Sequence, residues 1–378
     1  MAEGSPTRIP LIAFGLAFLV GAEVGQLSIL GAVGRDIPLV WMPVGLLVGA
    51  LVLSPRRQWP SLVALACAAM VVTALGHGRP PGLTVCASAV YGLEAWLAAA
   101  LLRRFTGRDF DLARLTHVAA MFVVAGIAPL AGAVAVAAVT QSFGASASFE
   151  QLATASWATD TLGLLLGAAL VFGWRQYPDG FVSPPRWRAL EMAATLVALA
   201  VLSQAIFGDT LPEVMRAPAF VMPVMFLAVF RLGPFGTSAA MTMVAVIALQ
   251  NAVRGHGPYM GGITSISDAV LRGQVIGIMA TLSFQLLACT VAERRRIAQE
   301  RTRLVADLQT ALAEIKTLRG FIPICAWCHK IRDDAGFWQE IESYVQTHTD
   351  AVFSHGICPE CTTREHLAIA EQHASRTA

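Results

Sequence analysis

The sequence has little charge and almost no lysine. Charged residues make up 14% of its 378 residues, against about 25% in soluble domains, and its two lysines are Lys316 and Lys330. This scarcity excludes a soluble enzyme, a disordered chain and a protein that binds nucleic acid through a basic face. The formal net charge of +2 provides no long-range attraction for an anionic partner. Hydrophobic residues are abundant instead, at 56% of the chain.

The few charges are unevenly distributed along the chain. Residues 1–293 contain 30 charged side chains, whereas the 85 residues of 294–378 contain 22. This break predicts three domains: a polytopic membrane domain over 1–293, a linker over 294–320 and a cysteine-rich tail over 321–378.

Long apolar runs fill the first region. A helix that crosses the hydrocarbon layer needs about 20 mostly apolar residues, and ten runs approach that length. They cover roughly 9–30, 38–53, 59–76, 82–102, 116–140, 151–173, 189–207, 217–231, 233–251 and 268–292. Because the second and eighth runs are short, we predict an all-α polytopic membrane protein with eight to ten transmembrane helices.

Arginines mark one side of the predicted membrane domain. Loops after even-numbered runs contain ten arginines, and loops after odd-numbered runs contain five. Arginine-rich loops stay in the cytoplasm, so ten spans would place both termini there.

Three acidic residues lie within apolar runs, where charge is costly and often functional. They are Glu23, Glu94 and Asp160. Asp160 is the deepest, and Trp157 precedes it by three residues on the same helical face. The pattern is compatible with a polar ligand or proton site between helices, or with a neutral, hydrogen-bonded acid that only fixes helix packing.

Three short motifs resemble the membrane-associated sensor domain of bacteria, first type, of the MASE family. They are Trp41-Met-Pro43-Val-Gly45, Arg56-Arg57-Gln-Trp59-Pro60 and Ser156-Trp157-Ala-Thr-Asp160-Thr-Leu-Gly163. The resemblance covers about residues 9–293. It implies a multi-pass sensor in the lipid bilayer of the bacterial inner membrane. Such a sensor would detect an unknown membrane or periplasmic ligand and pass a signal to a cytoplasmic output. One departure is Ala168-Ala169, where the family pattern has a proline.

A heptad pattern follows the last run. Its core positions are Ile297, Arg301, Leu304, Leu308, Ala311, Ile315 and Leu318. Alternating steps of four and three residues are typical of a two-stranded coiled coil, so we predict a parallel homodimer. The alternative is one amphipathic helix that folds back on the tail or lies on the lipid surface.

Two CxxC pairs give the strongest chemical signal. Cys325, Cys328, Cys358 and Cys361 supply four thiolates, and two such pairs can form the closed tetrahedral site that structural zinc prefers. We also predict a turn over Asp333–Gly336 and a helix over about Thr362–His373. Between them, one helical face would be formed by Phe337, Trp338, Ile341, Tyr344 and Val345.

Other functions of these cysteines stay open: a thiol redox switch, an iron–sulfur cluster or haem. Cys325-Ala-Trp-Cys328-His329 formally matches the c-type haem motif. Haem attachment occurs outside the bacterial cytoplasm, however, and it would leave the second pair unused. We therefore expect His329 and His355 to lie beside the metal ligands or at the surface, with replacement of one cysteine ligand by either histidine as the alternative.

The tail also resembles a small C-terminal module of bacterial signalling proteins. The matching residues are Leu308-Gln309, Ile315-Lys316-Thr-Leu318, Ile322-Pro-Ile-Cys325, Cys328, Lys330-Ile-Arg332-Asp333-Asp334, Gly336-Phe-Trp338 and Phe353-Ser-His355-Gly-Ile-Cys358-Pro-Glu-Cys361. The module has no assigned activity, so the resemblance implies a signalling context without a mechanism.

Catalytic signatures are missing from the sequence. It contains no phosphate-binding glycine loop, no kinase, GGDEF or EAL signature and no G-x-S-x-G or H-E-x-x-H pattern. We therefore predict a sensor or receptor that is not an enzyme and whose tail acts on a cytoplasmic signalling protein. The alternatives are a membrane transporter and a redox- or haem-carrying membrane protein.

Overall fold

The computed structural model describes residues 11–30, 39–176, 186–263, 265–319, 322–333 and 335–366. The chain divides into two compact units, Met1–Ala298 and Gln299–Ala378. Within the described residues, the α-helices are α1 (Leu11–Leu30), α2 (Met42–Leu53), α3 (Trp59–Gly76), α4 (Pro81–Thr106), α5 (Leu115–Ser142), α6 (Phe149–Gln176), α7 (Arg186–Phe207), α8 (Met222–Val253), α9 (Ile266–Arg319) and α10 (Ile341–His348).

The first unit is a bundle of apolar helices. Seven helical segments of the described chain are long and apolar enough to cross a membrane, and two shorter apolar helices are Phe14–Glu23 and Met42–Leu53. The polytopic all-α fold predicted from hydropathy is confirmed at this level. The helix bounds follow the predicted runs, except that the eighth and ninth runs share one helical segment.

That shared segment, α8, is broken at Gly233. This residue has a φ of 69°, outside the helical range, and Pro234 follows it, so the backbone can turn there. Three side-chain contacts show where α8 and the residues before it lie beside α7: Arg216–Asp209 and Asn251–Gln204 at the C-terminal end of α7, and Arg231–Glu191 near its start. The chain therefore runs along α7 and returns, which explains two predicted spans in one segment.

Side-chain contacts gather the arginine-rich loops at one end of the bundle. Arg103 donates a hydrogen bond to the Ser54 carbonyl at 3.0 Å, and its guanidinium lies 5.6 Å from the centre of the Trp59 ring. Arg296 donates to Asp111 at 3.2 Å. We call the end defined by these five residues the arginine-rich end. Which side of the membrane it faces stays a prediction from the arginine count.

Helix α6 is the centre of the first unit. Within its apolar segment 78% of the residues are buried inside the protein, against 28–44% in the other six candidate spans. Outer helices instead expose apolar side chains such as Leu93, at 71%, and Leu190, at 70%. Lipid tails can cover such surfaces without cost.

The described part of the second unit has little interior. Strands β1 (Ile331–Arg332) and β2 (Trp338–Gln339) pair antiparallel, and Ile331 is the one buried side chain among the described residues after 321. The predicted turn is confirmed, because Gly336 has a φ of 91° and its N–H donates to the Asp333 carbonyl at 3.0 Å.

One expectation for this unit is wrong. The five residues predicted as a single helical face divide between two elements: Trp338 pairs with Arg332 in the hairpin, and α10 begins only at Ile341. The reason is the preceding turn, where the Asp333 carboxylate accepts the Phe337 N–H at 2.8 Å and directs the chain into a strand. The last described segment, 359–366, is helical and holds Cys361 in its first turn, as expected. Residues 367–373 of the predicted helix lie outside the described residues.

Candidate intramembrane site and cysteine pairs

The first and third sequence motifs meet in the interior of the membrane unit. The Trp41 backbone N–H points to the Thr159 carbonyl at 3.5 Å, about 15 Å from the start of α6. Helix α2 begins at the next residue and has 12 residues, about 18 Å, which is too short to cross a bilayer alone. Its N-terminus therefore lies in the middle of the bundle, beside α6.

Glycines allow this close approach. A Cβ on Gly163 would collide with the Trp41 carbonyl oxygen, and one on Gly45 would collide with the Gly163 carbonyl oxygen. A Cβ on Gly167 would lie 2.7 Å from the Met42 oxygen. Backbone atoms cannot move aside as a flexible side chain can, so these positions require glycine and fix α2 against α6.

Asp160 and Glu94 lie together in this interior. Asp160 is 1% exposed and Glu94 is 4% exposed, and the two carboxyl groups are within electrostatic range of each other and of the Tyr91 hydroxyl. None of their four oxygens has a hydrogen-bond partner among the described residues. Buried polar groups are nearly always hydrogen-bonded. Two neighbouring buried acids without such partners therefore form a candidate intramembrane ligand site.

The aromatic residues around these acids have different roles. The Trp41 ring packs on the Tyr91 ring with centroids 5.4 Å apart, and the Trp41 indole N–H has no partner among the described residues. Trp157 instead donates its indole N–H to the Gly126 carbonyl of α5 at 3.1 Å. Trp157 therefore ties α6 to α5, while Trp41 borders the acids.

Glu23 does not join the other two acids. Its carboxylate lies 2.8 Å from His77 Nε2 at the end of α3, and its side chain is 46% exposed. This pair belongs to the end of the bundle opposite the arginine-rich end. Of the three predicted intramembrane acids, the structure therefore brings together Glu94 and Asp160 only.

Gln274 is a buried polar residue that the sequence analysis missed. Its side-chain amide, 2% exposed, donates to the Leu39 carbonyl at 2.8 Å and to Thr159 Oγ1 at 2.9 Å. Both acceptors lie next to the site, one before the start of α2 and one beside Asp160. Gln274 is on α9, the helix that leads out of the membrane unit. The available signal was that the predicted span 268–292 contains two glutamines, Gln274 and Gln285.

A second set of contacts ties α9 to the arginine-rich end around Arg295 and Arg296, near the middle of the helix. We call this part the base of α9. Arg296 pairs with Asp111 at 3.2 Å, and Arg295 donates to the Phe230 carbonyl at 2.7 Å. Asp111 also accepts the Ala113 N–H at 2.8 Å. Helix α9 is therefore held at two depths, by Gln274 near the acids and by these arginines at the end of the bundle.

Each CxxC pair in the second unit is preorganised for thiolate chemistry. The Cys325 backbone N–H donates to the Lys330 carbonyl at 2.9 Å, and the His329 N–H donates to the Cys325 carbonyl at 2.9 Å. Backbone N–H groups of Cys328 and Trp327 also point at the Cys325 sulfur and lower the pKa of its thiol. In the same way, the Cys361 N–H lies 3.5 Å from the Cys358 sulfur and lowers the pKa of that thiol.

The two pairs fit the halves of a zinc site. N–H groups directed at sulfur stabilise the thiolate that zinc requires. Among the described residues, however, no group of three or more His, Cys, Asp or Glu side chains converges with metal-binding geometry. Neither His329 nor His355 joins the cysteines. His329 occupies the left-handed conformation, with a φ of 61°, and closes the turn of the first pair. Zinc binding therefore stays a prediction.

Fold and site together define a polytopic helical membrane protein with a polar site in its interior. The family model MASE1 matches residues 10–295. The chain therefore belongs to the MASE1 family of membrane-associated sensor domains, which confirms the resemblance of the first region. The match ends before the cysteine pairs. No curated protein and no solved structure matches the chain.

Proposed function

We propose that this chain is a sensor of the bacterial inner membrane that has no enzymatic activity of its own and acts on a cytoplasmic signalling protein. Membership of the MASE1 family supports the sensor role. The main support is the position of Gln274. Its side chain hydrogen-bonds on both sides of the candidate site, and it belongs to the helix that leads to the tail.

The signal begins as a change in packing around Asp160. Thr159 would shift with α6, and the Leu39 carbonyl would shift with the segment before α2. Gln274 would move with these two acceptors because its amide is buried away from water, which therefore cannot replace them. A helix moves as a rigid body over several turns, so a shift at Gln274 reaches Arg296 and the linker beyond it. Two sites joined by one element with two arrangements are what a signalling pathway requires.

The linker part of α9 would pair with a second copy of the chain. Its predicted core positions Ile297, Leu304 and Leu308 are 59%, 61% and 61% exposed, so the described residues of one chain leave them largely uncovered. Anchoring in one membrane raises the effective concentration of two such helices. A parallel homodimer would convert a movement of each α9 into a change of spacing at the tails.

The tail would act as a docking module. Trp327, between the two cysteines of the first pair, is 95% exposed. Large exposed aromatic side chains are enriched at protein interfaces. One structural zinc ion, held by the two cysteine pairs, would keep this module folded, and the arginine-rich end of the membrane unit would face the same cytoplasmic side.

A transporter is the second candidate, because α2 begins in the middle of the bundle beside buried acids. Half-helices that end at the centre of the membrane form substrate sites in many transporters. Flux measurements in reconstituted vesicles separate the two functions. Saturable uptake that Asp160→Asn abolishes would support transport and contradict a pure sensor.

Disulfide crosslinking through Leu308→Cys tests the sensor function. The four tail cysteines are replaced by serine, and the rate of dimer crosslinking is measured in native membranes. We expect crosslinked dimers, and we expect Gln274→Ala to change the rate severalfold because the link between site and linker is lost. Gln250→Ala, at an exposed position, is the matched control and should leave the rate unchanged.

Two results would contradict the proposal. One is a linker that stays monomeric in membranes, because the dimer is then absent. The other is a crosslinking rate that is equal in Gln274→Ala and Gln250→Ala, because α9 would then not report on the site.

A further inference from the structure

The ligand of the intramembrane site can be inferred from what the two acids lack. We propose that Glu94 and Asp160 form an exchangeable proton site, so that the membrane unit responds to proton concentration. This inference rests on the proposed sensor function and names the ligand of its site.

Space around the carboxyl groups excludes larger ligands in this conformation. None of the four carboxyl oxygens is accessible to a water molecule. Glu94 is also pressed against α5, because a Cβ on Gly132 would overlap its Oε2. A hydrated metal ion or an organic cation therefore cannot reach these oxygens without repacking, whereas a proton needs no cavity.

Among the described residues, no cation compensates the charge of the pair. Arg231 of α8 pairs with Glu191, and Arg272 of α9 donates to the Tyr259 and Gly261 carbonyls. On α4 the facing titratable group is Tyr91, which can only add negative charge. Helix α2 contains no titratable residue. The titratable residue of α5, His117, accepts the Asp111 N–H at the arginine-rich end, and that of α3, Cys67, faces the Ser88 carbonyl. An ionised carboxylate at this site would be unpaired in an apolar interior, so both acids hold their protons in this packing.

Unused donors provide the other state. The Trp41 indole N–H and the hydroxyls of Ser156 and Thr161 are buried and have no partner among the described residues. Ser156 lies one turn before Asp160 on α6, and Trp41 borders Tyr91 of the same cluster. When Asp160 or Glu94 releases its proton to water, the remaining carboxylate can accept hydrogen bonds from these donors. A hydrogen bond from Trp41 requires movement of the start of α2 against α6. Gln274 hydrogen-bonds on both sides of that contact, at the Leu39 carbonyl and at Thr159 of α6.

Infrared spectroscopy of the full-length protein in lipid vesicles tests the proton site. The C=O band of protonated carboxyl groups is recorded as the buffer is changed from acidic to alkaline. We expect a band that is lost as the pH rises, that is weaker in Asp160→Asn and in Glu94→Gln, and that is absent from the double variant. Glu150→Gln, at an exposed position on the same helix as Asp160, should keep the band.

A variant that leaves both acids in place guards against misfolding. Trp41→Phe removes one donor for the anion, so the midpoint of band loss should move to higher pH. The proposal is overturned if the wild type shows no pH-dependent band, if the band survives in the double variant, or if its midpoint depends on whether Na⁺ or choline is the buffer cation.

The two measurements together separate the two proposals. If the band titrates but the Leu308→Cys crosslinking rate is equal in Gln274→Ala and Gln250→Ala, the proton site stands and the sensor function fails. If the crosslinking depends on Gln274 but no band titrates, the sensor function stands and its ligand is not a proton.

Discussion

The membrane unit and the cysteine unit are stabilised in different ways. The membrane unit buries a continuous core in which large side chains such as Phe18, Leu165 and Phe172 are at most 1% exposed. The described part of the cysteine unit buries Ile331 and leaves Phe337 and Ile357 73% and 79% exposed. Packing and lipid account for the first unit. The described part of the second unit buries too little apolar surface to be stable by packing alone, and we propose that its thiols contribute by binding zinc.

The two units also differ in how well their functional polar groups are hydrogen-bonded, and in this respect the cysteine unit is the better satisfied. Deep in the membrane unit, Glu94 and Asp160 have no hydrogen-bond partner among the described residues. In the tail, backbone N–H groups already point at the sulfurs of the half-buried Cys325 and the exposed Cys358. An unsatisfied buried group makes a conformation easy to change, and a satisfied one makes it rigid. We therefore propose that the membrane unit changes conformation during signalling, whereas the tail keeps one conformation.

Removal of zinc should have the largest effect and should be confined to the tail. Structural zinc contributes about 10–16 kcal/mol to folding in zinc-finger peptides. We expect one zinc ion per chain, and we expect chelation or Cys358→Ser to unfold residues 322–366 while the membrane unit stays folded. Metal analysis and hydrogen exchange measure the two quantities. Cys86→Ser, an exposed cysteine of the membrane unit, should keep the zinc. A tail that stays protected after chelation would remove the proposed role of the thiols.

Gly163→Ala should have the next largest effect and should be confined to the membrane unit. The added methyl group meets the Trp41 backbone, and overpacking of this kind costs about 1–3 kcal/mol. Thermal unfolding in detergent measures the loss. Gly126→Ala is the matched control, because a Cβ there has open space. Equal melting temperatures for the two variants would contradict the close contact of α2 with α6.

Arg296→Gln should have a smaller effect. The Arg296 side chain is 54% exposed, and ion pairs of this exposure contribute about 0–1 kcal/mol. We expect a small loss of stability, reduced further by salt, together with faster hydrogen exchange at the base of α9. Arg303→Gln, whose partner Asp307 lies on the same helix, should leave the base of α9 unchanged. A melting-temperature change as large as that of Gly163→Ala would show that Arg296 does more than pair with Asp111.

Trp327→Ala should have the smallest effect on the molecule itself. The side chain is 95% exposed, so neither zinc content nor protection of the tail should change. A loss of signalling with unchanged folding would support docking through Trp327. Lower zinc content would instead assign it a structural role.

Hydropathy and the change in charge content along the chain predicted much of the architecture. The apolar runs were found close to the observed helix bounds, because the energy of an apolar segment in lipid depends mainly on its own composition. The break at Gly233 was visible as two adjacent runs, 217–231 and 233–251. The change of composition after residue 293 lies near the observed division at Ala298.

The candidate site was only partly predictable. Asp160 and Glu94 were visible as acids in apolar runs, but nothing local indicated that they meet, or that Glu23 pairs with His77 instead. Tyr91 and Gln274 were missed because a tyrosine or glutamine in a span has an ordinary meaning until its neighbours are known. The predicted helical face at Phe337 failed because the Asp333 side chain, through a contact four residues away, turned the chain into a strand.

By itself, the sequence determined that this chain has an apolar helical body and a polar tail with two thiol pairs, because those properties depend on residues close together along the chain. Only the tertiary structure decided that α2 begins in the middle of the bundle, that Glu94 lies beside Asp160, and that Gln274 links both to the outgoing helix. These are contacts between residues 66 to 235 positions apart. They are set by how whole helices pack, which no local pattern records.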